Sequence, residues 1–175
     1  MDRAQSEHLG RVRHLREAFA EANERLVARL RGASEEAAAS AEAGAWSAAQ
    51  IGWHVATVTT RFAGMMAGDI PGPKPLDDGF RERPWEAIAA AMPARAVASS
   101  AVSPPAGVRR DEAVAALEAS ATRMAHAFDV LTPERGRMGI THPLVGTVTV
   151  YQLGDWATAH IKRHNRQAKR ALGEG

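Results

Sequence analysis

The chain has 175 residues, 45% of them apolar and 24% charged, which fits one ordinary globular domain over residues 1–175 and indicates neither a disordered nor a membrane class. Its 22 basic against 20 acidic side chains leave a formal charge of +2, too even a balance to advertise a nucleic-acid surface. There is no cysteine, so disulfides, thiolate metal sites and a cysteine nucleophile are excluded, and any thiol chemistry needs a thiol from outside. No run approaches the roughly 20 apolar residues of a membrane span, and Met1 to Leu9 is polar, so a cytoplasmic location is expected.

From about Ser6 to Leu30, apolar residues recur at Leu9, Val12, Leu15, Phe19, Ala22, Leu26 and Leu30, one face of a helix that Gly32 ends. A second helix starts at Ser47, because Ser47 with Gln50 forms a capping box and Trp46 with Ile51 a hydrophobic staple. Ile51, His54, Val58, Phe62 and Met65 form its stripe, and Gly68 with Pro71 stops it.

Residues 68 to 84, rich in Pro and Gly, form an extended loop before a short helix from Pro84 to Met92. A further connector runs from Pro93 to Arg110, and connections of this length suit a lid over a site. A third long helix follows from Asp111, with Val114, Leu117, Ala121, Met124, Phe128 and Leu131 buried, and Pro133 closes it. After a loop with His142-Pro143 and Gly146, Thr149 and Gln152 cap a last helix that runs to about Leu172, with Val148 and Leu153 as its staple. Thr147 to Tyr151 is strand-like, but the run is short and is assigned to the helix cap. The expected class is therefore all-α, an antiparallel four-helix bundle with long connections and a short extra helix.

His160 and His164 are four apart, so both imidazoles share one helix face, with Cβ atoms about 5–6 Å apart. Leu153, Ala157 and Ala168 share that face, which turns the pair into the protein. Buried imidazoles are costly unless satisfied, and one divalent ion satisfies two at once, with His54 the natural third ligand from another apolar stripe. Taken singly, a His-x-x-x-His pair is more often a solvated surface pair, and a lone core histidine more often bonds a carbonyl. Spacing alone does not establish that the three lie at one level.

Trp46-Ser47 with Ile51 and His54, His142-Pro143 with Gly146, and His160-x-x-x-His164 with Gln167 together resemble the DinB-like family, which includes YfiT-type metal-dependent proteins and thiol-dependent transferases. The likeness covers the second helix and the last third of the chain, and residues 68 to 130 match only by helix placement. It implies an antiparallel four-helix bundle, commonly a homodimer. It also implies that His54, His160 and His164 bind zinc, nickel or a similar ion and leave positions open. Family members with known activity transfer or isomerise groups using a low-molecular-weight thiol such as bacillithiol, mycothiol or glutathione.

Other features carry two readings each. His142 either lines the mouth of the site or orders its loop, whereas His8, His14 and His126 are surface or packing residues. The four tryptophans fit core or interface anchors better than an aromatic wall around a ligand. Asp155 and Gln50 are candidate acceptors for a ligand imidazole. Lys162, Arg163, Arg166, Lys169 and Arg170 make the last helix basic, which fits a solvated exterior better than a nucleic-acid surface.

The expected function is a small-molecule enzyme, a metal-dependent thiol transferase or isomerase, with no nucleic-acid or membrane partner. A metal-dependent hydrolase and a non-catalytic stress or ligand-binding module are the alternatives. Catalytic groups beyond the ion are not identified by the sequence.

Overall fold

A computed structural model describes residues 3–92, 99–143 and 145–174. In chain order these form α1 (Arg3–Gly32), α2 (Glu35–Ala39), α3 (Ala48–Ala67), α4 (Trp85–Ala91), a 3-10 turn (Ser100–Val102), α5 (Arg110–Val130), α6 (Pro133–Gly136), β1 (Gly139–His142), β2 (Gly146–Thr149) and α7 (Val150–Ala171). The protein is mostly helical, as its sequence leads one to expect. Among the described residues no helix is long and apolar enough to cross a membrane.

Both capping boxes form as expected. Gln50 N donates to Ser47 Oγ at 3.2 Å and Ser47 N to Gln50 Oε1 at 3.0 Å, while Gln152 N and Thr149 N make the same exchange at 3.3 and 3.1 Å. Each box satisfies two of the amides a helix start would otherwise leave unpaired, and fixes the phase of the helix that follows.

Contacts between the four long helices set their directions. Along α1 and α7 the partners rise together, His8 with Tyr151, Leu15 facing Gly154 and Arg29 with Asn165, so these helices run the same way. Arg16 pairs with Asp129 and Arg31 with Glu118, so α5 runs against α1. The pairs His54–His160 and Phe62–Trp156 make α3 opposed to α7. A Cβ at Gly52 would lie 3.3 Å from Ala113 and 3.5 Å from a Leu117 methyl, so α3 and α5 start from the same end and pack along their length. Leu15, Leu26, Leu30, Ile51, Met66, Leu117, Met124, Leu153 and Ile161 fill the space between them.

The structure corrects several sequence expectations. The strand-like run beginning at Thr147 does form a strand: β2 pairs antiparallel with β1, Gly139 opposite Thr149 and His142 opposite Gly146, and α7 starts at Val150 directly after it. Helix α1 extends beyond Ser6 and Leu30 at both ends, and Leu9 is 48% exposed while His8, one position earlier, is buried. On α3 the buried arc runs through Val55, Thr59, Ala63 and Met66, leaving Val58, Phe62 and Met65 half-buried, because α3 packs against α5 and α7 on two sides. Pro133 does not simply end α5. It opens α6, capped by Thr132. Helix α2, capped by Ser34, lacked the length to show a periodic stripe.

The loop from 68 to 84 is a strap rather than a lid. Lys74 exchanges two 2.8 Å backbone hydrogen bonds with Gly139, Glu82 pairs with Arg11 at 2.6 Å and accepts from Thr149 Oγ1 at 2.6 Å, and Arg83 donates to the Val145 carbonyl. Of the second connector, residues 93–98 lie outside the described residues, and the remainder reaches the site described next.

Candidate metal centre

Three imidazoles meet where α3 crosses α7. His54 and His160 face each other with their Nε2 atoms 3.1 Å apart, and the ring centroids of His54, His160 and His164 lie 4.4 to 5.0 Å from one another. One nitrogen from each ring can be chosen so that all three lie within 4.8 Å of one another. The levels match because α3 and α7 run in opposite directions, the register that helix spacing alone does not supply.

The hydrogen bonds behind the rings decide which nitrogens are available. His54 Nδ1 donates to the Val102 carbonyl at 2.8 Å, and His164 Nδ1 to Gln167 Oε1 at 2.8 Å. A carbonyl only accepts, so these protons sit on Nδ1 and each Nε2 carries a lone pair. His160 Nδ1 is buried and has no partner among the described residues. If His160 donates from Nε2 to His54, its Nδ1 is a stranded acceptor; if the proton sits on Nδ1, two lone pairs confront each other at 3.1 Å. Neither tautomer satisfies the metal-free cluster, whereas a cation bound by the Nε2 atoms removes the lone-pair clash of the second arrangement and leaves the Nδ1 proton as its one unpaired group.

The donor set and its spacing fit a divalent ion. Two imidazoles on one tetrahedral ion at about 2.0–2.1 Å have nitrogens about 3.3–3.4 Å apart, and the observed spread brackets that spacing. The rings are also in the correct charge state. Burial is the main cause in all three: it lowers His54 against the opposing Val102 hydrogen bond, holds His160 well below the usual imidazole range with help from His164, His54 and Arg163, and pushes His164 down to about 4. All three are neutral at pH 7 and can offer lone pairs.

No curated protein and no solved structure matches the chain. The model of the DinB superfamily, however, matches residues 18–168, nearly the whole chain and all three histidines. The chain belongs to the DinB superfamily. Within that family frame, the residues singled out by sequence sort into those at the cluster and those elsewhere.

Both sequence candidates for a supporting acceptor are corrected. Gln50 spends its amide oxygen on the Ser47 capping box and its Nε2 on the Pro105 carbonyl at 3.0 Å. Asp155 lies 3.9 Å from Arg11, with its carboxyl pushed up to about 6, chiefly by burial against the opposing pull of Arg11. The acceptors are instead the Val102 carbonyl and Gln167. Gln167 sits three positions from His164, a spacing that could have identified it; a backbone carbonyl 48 positions from His54 leaves no side-chain signal.

All four tryptophans pack against the core, as the sequence leads one to expect, and Trp46 also touches a histidine of the cluster. Trp46 packs on His54 with centroids 5.0 Å apart, and Trp156, one turn before His160, touches Phe62 at 5.3 Å and His142 at 5.0 Å. His142 closes strand β1 instead of lying in a loop, and burial lowers its pKa. His8 is buried against the Tyr151 hydroxyl at 2.6 Å, while His14 and His126 are exposed. Lys162, Arg166 and Arg170 are exposed, as a solvated helix face requires.

Proposed function

We propose that the four long helices of this DinB-superfamily chain form one bundle, with α1 and α7 running one way and α3 and α5 the other instead of the strictly antiparallel arrangement expected, and that His54, His160 and His164 hold one divalent ion in it, zinc, nickel or similar. We propose further that it is a transferase or isomerase acting with a low-molecular-weight thiol. The observation that carries this reading is the convergence of three neutral imidazoles whose Nε2 lone pairs are set by proton bonds behind two of the rings. Three protein ligands favour an open site over a structural one, since structural zinc normally takes four.

A bound divalent ion supplies a lowered pKa to a thiol or water that reaches it. The chain's own residues do the rest. Val102 and Gln167 orient two rings, Trp46 covers His54, and burial keeps the imidazoles unprotonated. With no cysteine in the chain, the sulfur nucleophile comes from a small molecule.

The test is turnover of a chromogenic aryl halide by zinc- or nickel-loaded protein offered bacillithiol, mycothiol or glutathione in turn. Turnover with one thiol, abolished by a chelator and restored by the ion, is the expected result. Ester cleavage without a thiol would favour a hydrolase. Stoichiometric metal with no turnover of any thiol or ester would favour a non-catalytic module.

A further inference from the structure

We infer that the side of the histidine cluster next to Trp156 is a subsite for a flat aromatic group of the substrate, which makes Trp156 a specificity-determining residue. The inference rests on the metal reading above and extends it to the substrate class.

His54 and His164 are buried, and His160 is the one residue of the three that keeps some surface, although its Nδ1 is buried. Trp156 is four positions earlier on α7, hence on the same face one turn away, about 5–6 Å between Cβ atoms. Helical side chains lean toward the N-terminus of their helix, so the His160 ring leans toward Trp156.

At that position the chain gathers aromatic rings from three different elements. Phe62 comes from α3, His142 from the end of β1 and Trp156 from α7. His142 meets Trp156 edge-on at 88°, and Phe62 meets Trp156 at 50°. All three are half-buried, each keeping part of its surface toward solvent. Leu153 and Ala157, both about 1% exposed, fill the core along this stretch of α7, and the indole packs at the edge of that core while keeping part of its surface toward solvent. Edge-on and tilted rings complement another flat ring, which gains the edge-to-face contacts a saturated ring cannot make.

Hydroxamates separate this inference from the reading beneath it, because the hydroxamate group ligates the ion while the attached group samples the wall. Zinc-loaded full-length protein would be titrated calorimetrically with benzohydroxamate, cyclohexanecarbohydroxamate and acetohydroxamate. The phenyl compound is expected to bind about tenfold tighter than the methyl compound and clearly tighter than the cyclohexyl one. Trp156→Leu, which keeps apolar volume, should bring that ratio to within about twofold, and Trp156→Phe should preserve most of it. If Trp156→Leu does not fold, His142→Leu at the hairpin end reads the same ratio. Equal affinities for phenyl and cyclohexyl, or a ratio untouched by either leucine variant, would overturn the aromatic subsite while leaving the metal site standing. Zinc-loaded protein that binds none of the three would overturn the open metal position, and the subsite with it.

Discussion

Protein carrying His160→Ala is expected to lose divalent-metal affinity by on the order of 10²–10³-fold, so that elemental analysis after dialysis falls from about one ion per chain to a small fraction. The loss follows from removing one of only three nitrogens. Fold and metal can be separated, because the His160 Nδ1 is a buried polar atom with no partner among the described residues. Deleting it removes an unsatisfied group, so metal-free His160→Ala should unfold no earlier than the metal-free parent. Added zinc should then raise the melting temperature of the parent by ligand linkage and leave the variant unmoved. Gln167→Ala sits between the two: it removes the acceptor that orients His164 and should weaken binding by about 10–100-fold without emptying the site. A variant that keeps full metal content without His160 would place the ion elsewhere.

The largest expected effect on folding comes from a residue with no chemistry. A Cβ at Gly136 would lie within 2.6 Å of three atoms of the Tyr151 ring. The ring has little room to yield. Its hydroxyl is held by His8 at 2.6 Å and the Arg11 guanidinium lies 4.5 Å over its face. Gly136→Ala should therefore cost about 3 kcal/mol, at the upper end of overpacking penalties, read as a lowered denaturation midpoint at unchanged slope. In Gly136→Ala with Tyr151→Leu, the total loss should be smaller than the sum of the two single losses, the signature of a direct clash. Because Tyr151 is in the first turn of α7, the single variant should also weaken metal binding through the helix that carries His160 and His164. Strict additivity of the two substitutions would mean the clash is relieved by backbone movement.

The parts of this molecule that were legible in its sequence are those determined over short stretches. The Ser47–Gln50 and Thr149–Gln152 boxes close within three residues, and His160 and His164 share a face by helix geometry alone. What escaped depends on distant partners. The β1–β2 pair is invisible in Thr147–Tyr151 by itself, since its mate includes Gly139, a poor strand former held in place by Lys74 and lying against Leu76. The meeting of His54 with His160 required the opposed run of α3 and α7, a tertiary fact. Asp155 failed as a supporting acceptor for a reason that was available: five positions from His160 is about 140° round the helix, which turns its carboxyl toward Arg11 on α1. Gln50 failed because one amide cannot both close a capping box and brace an imidazole.

X-ray absorption at the metal edge of zinc-loaded protein tests the central claim most directly, because imidazole scattering counts histidine ligands without reference to activity. The account predicts three imidazole nitrogens at about 2.0–2.1 Å, falling to two in His160→Ala protein at forced loading, with a small-molecule ligand completing the set. A spectrum with one imidazole or none, or a count unchanged by His160→Ala, would contradict it.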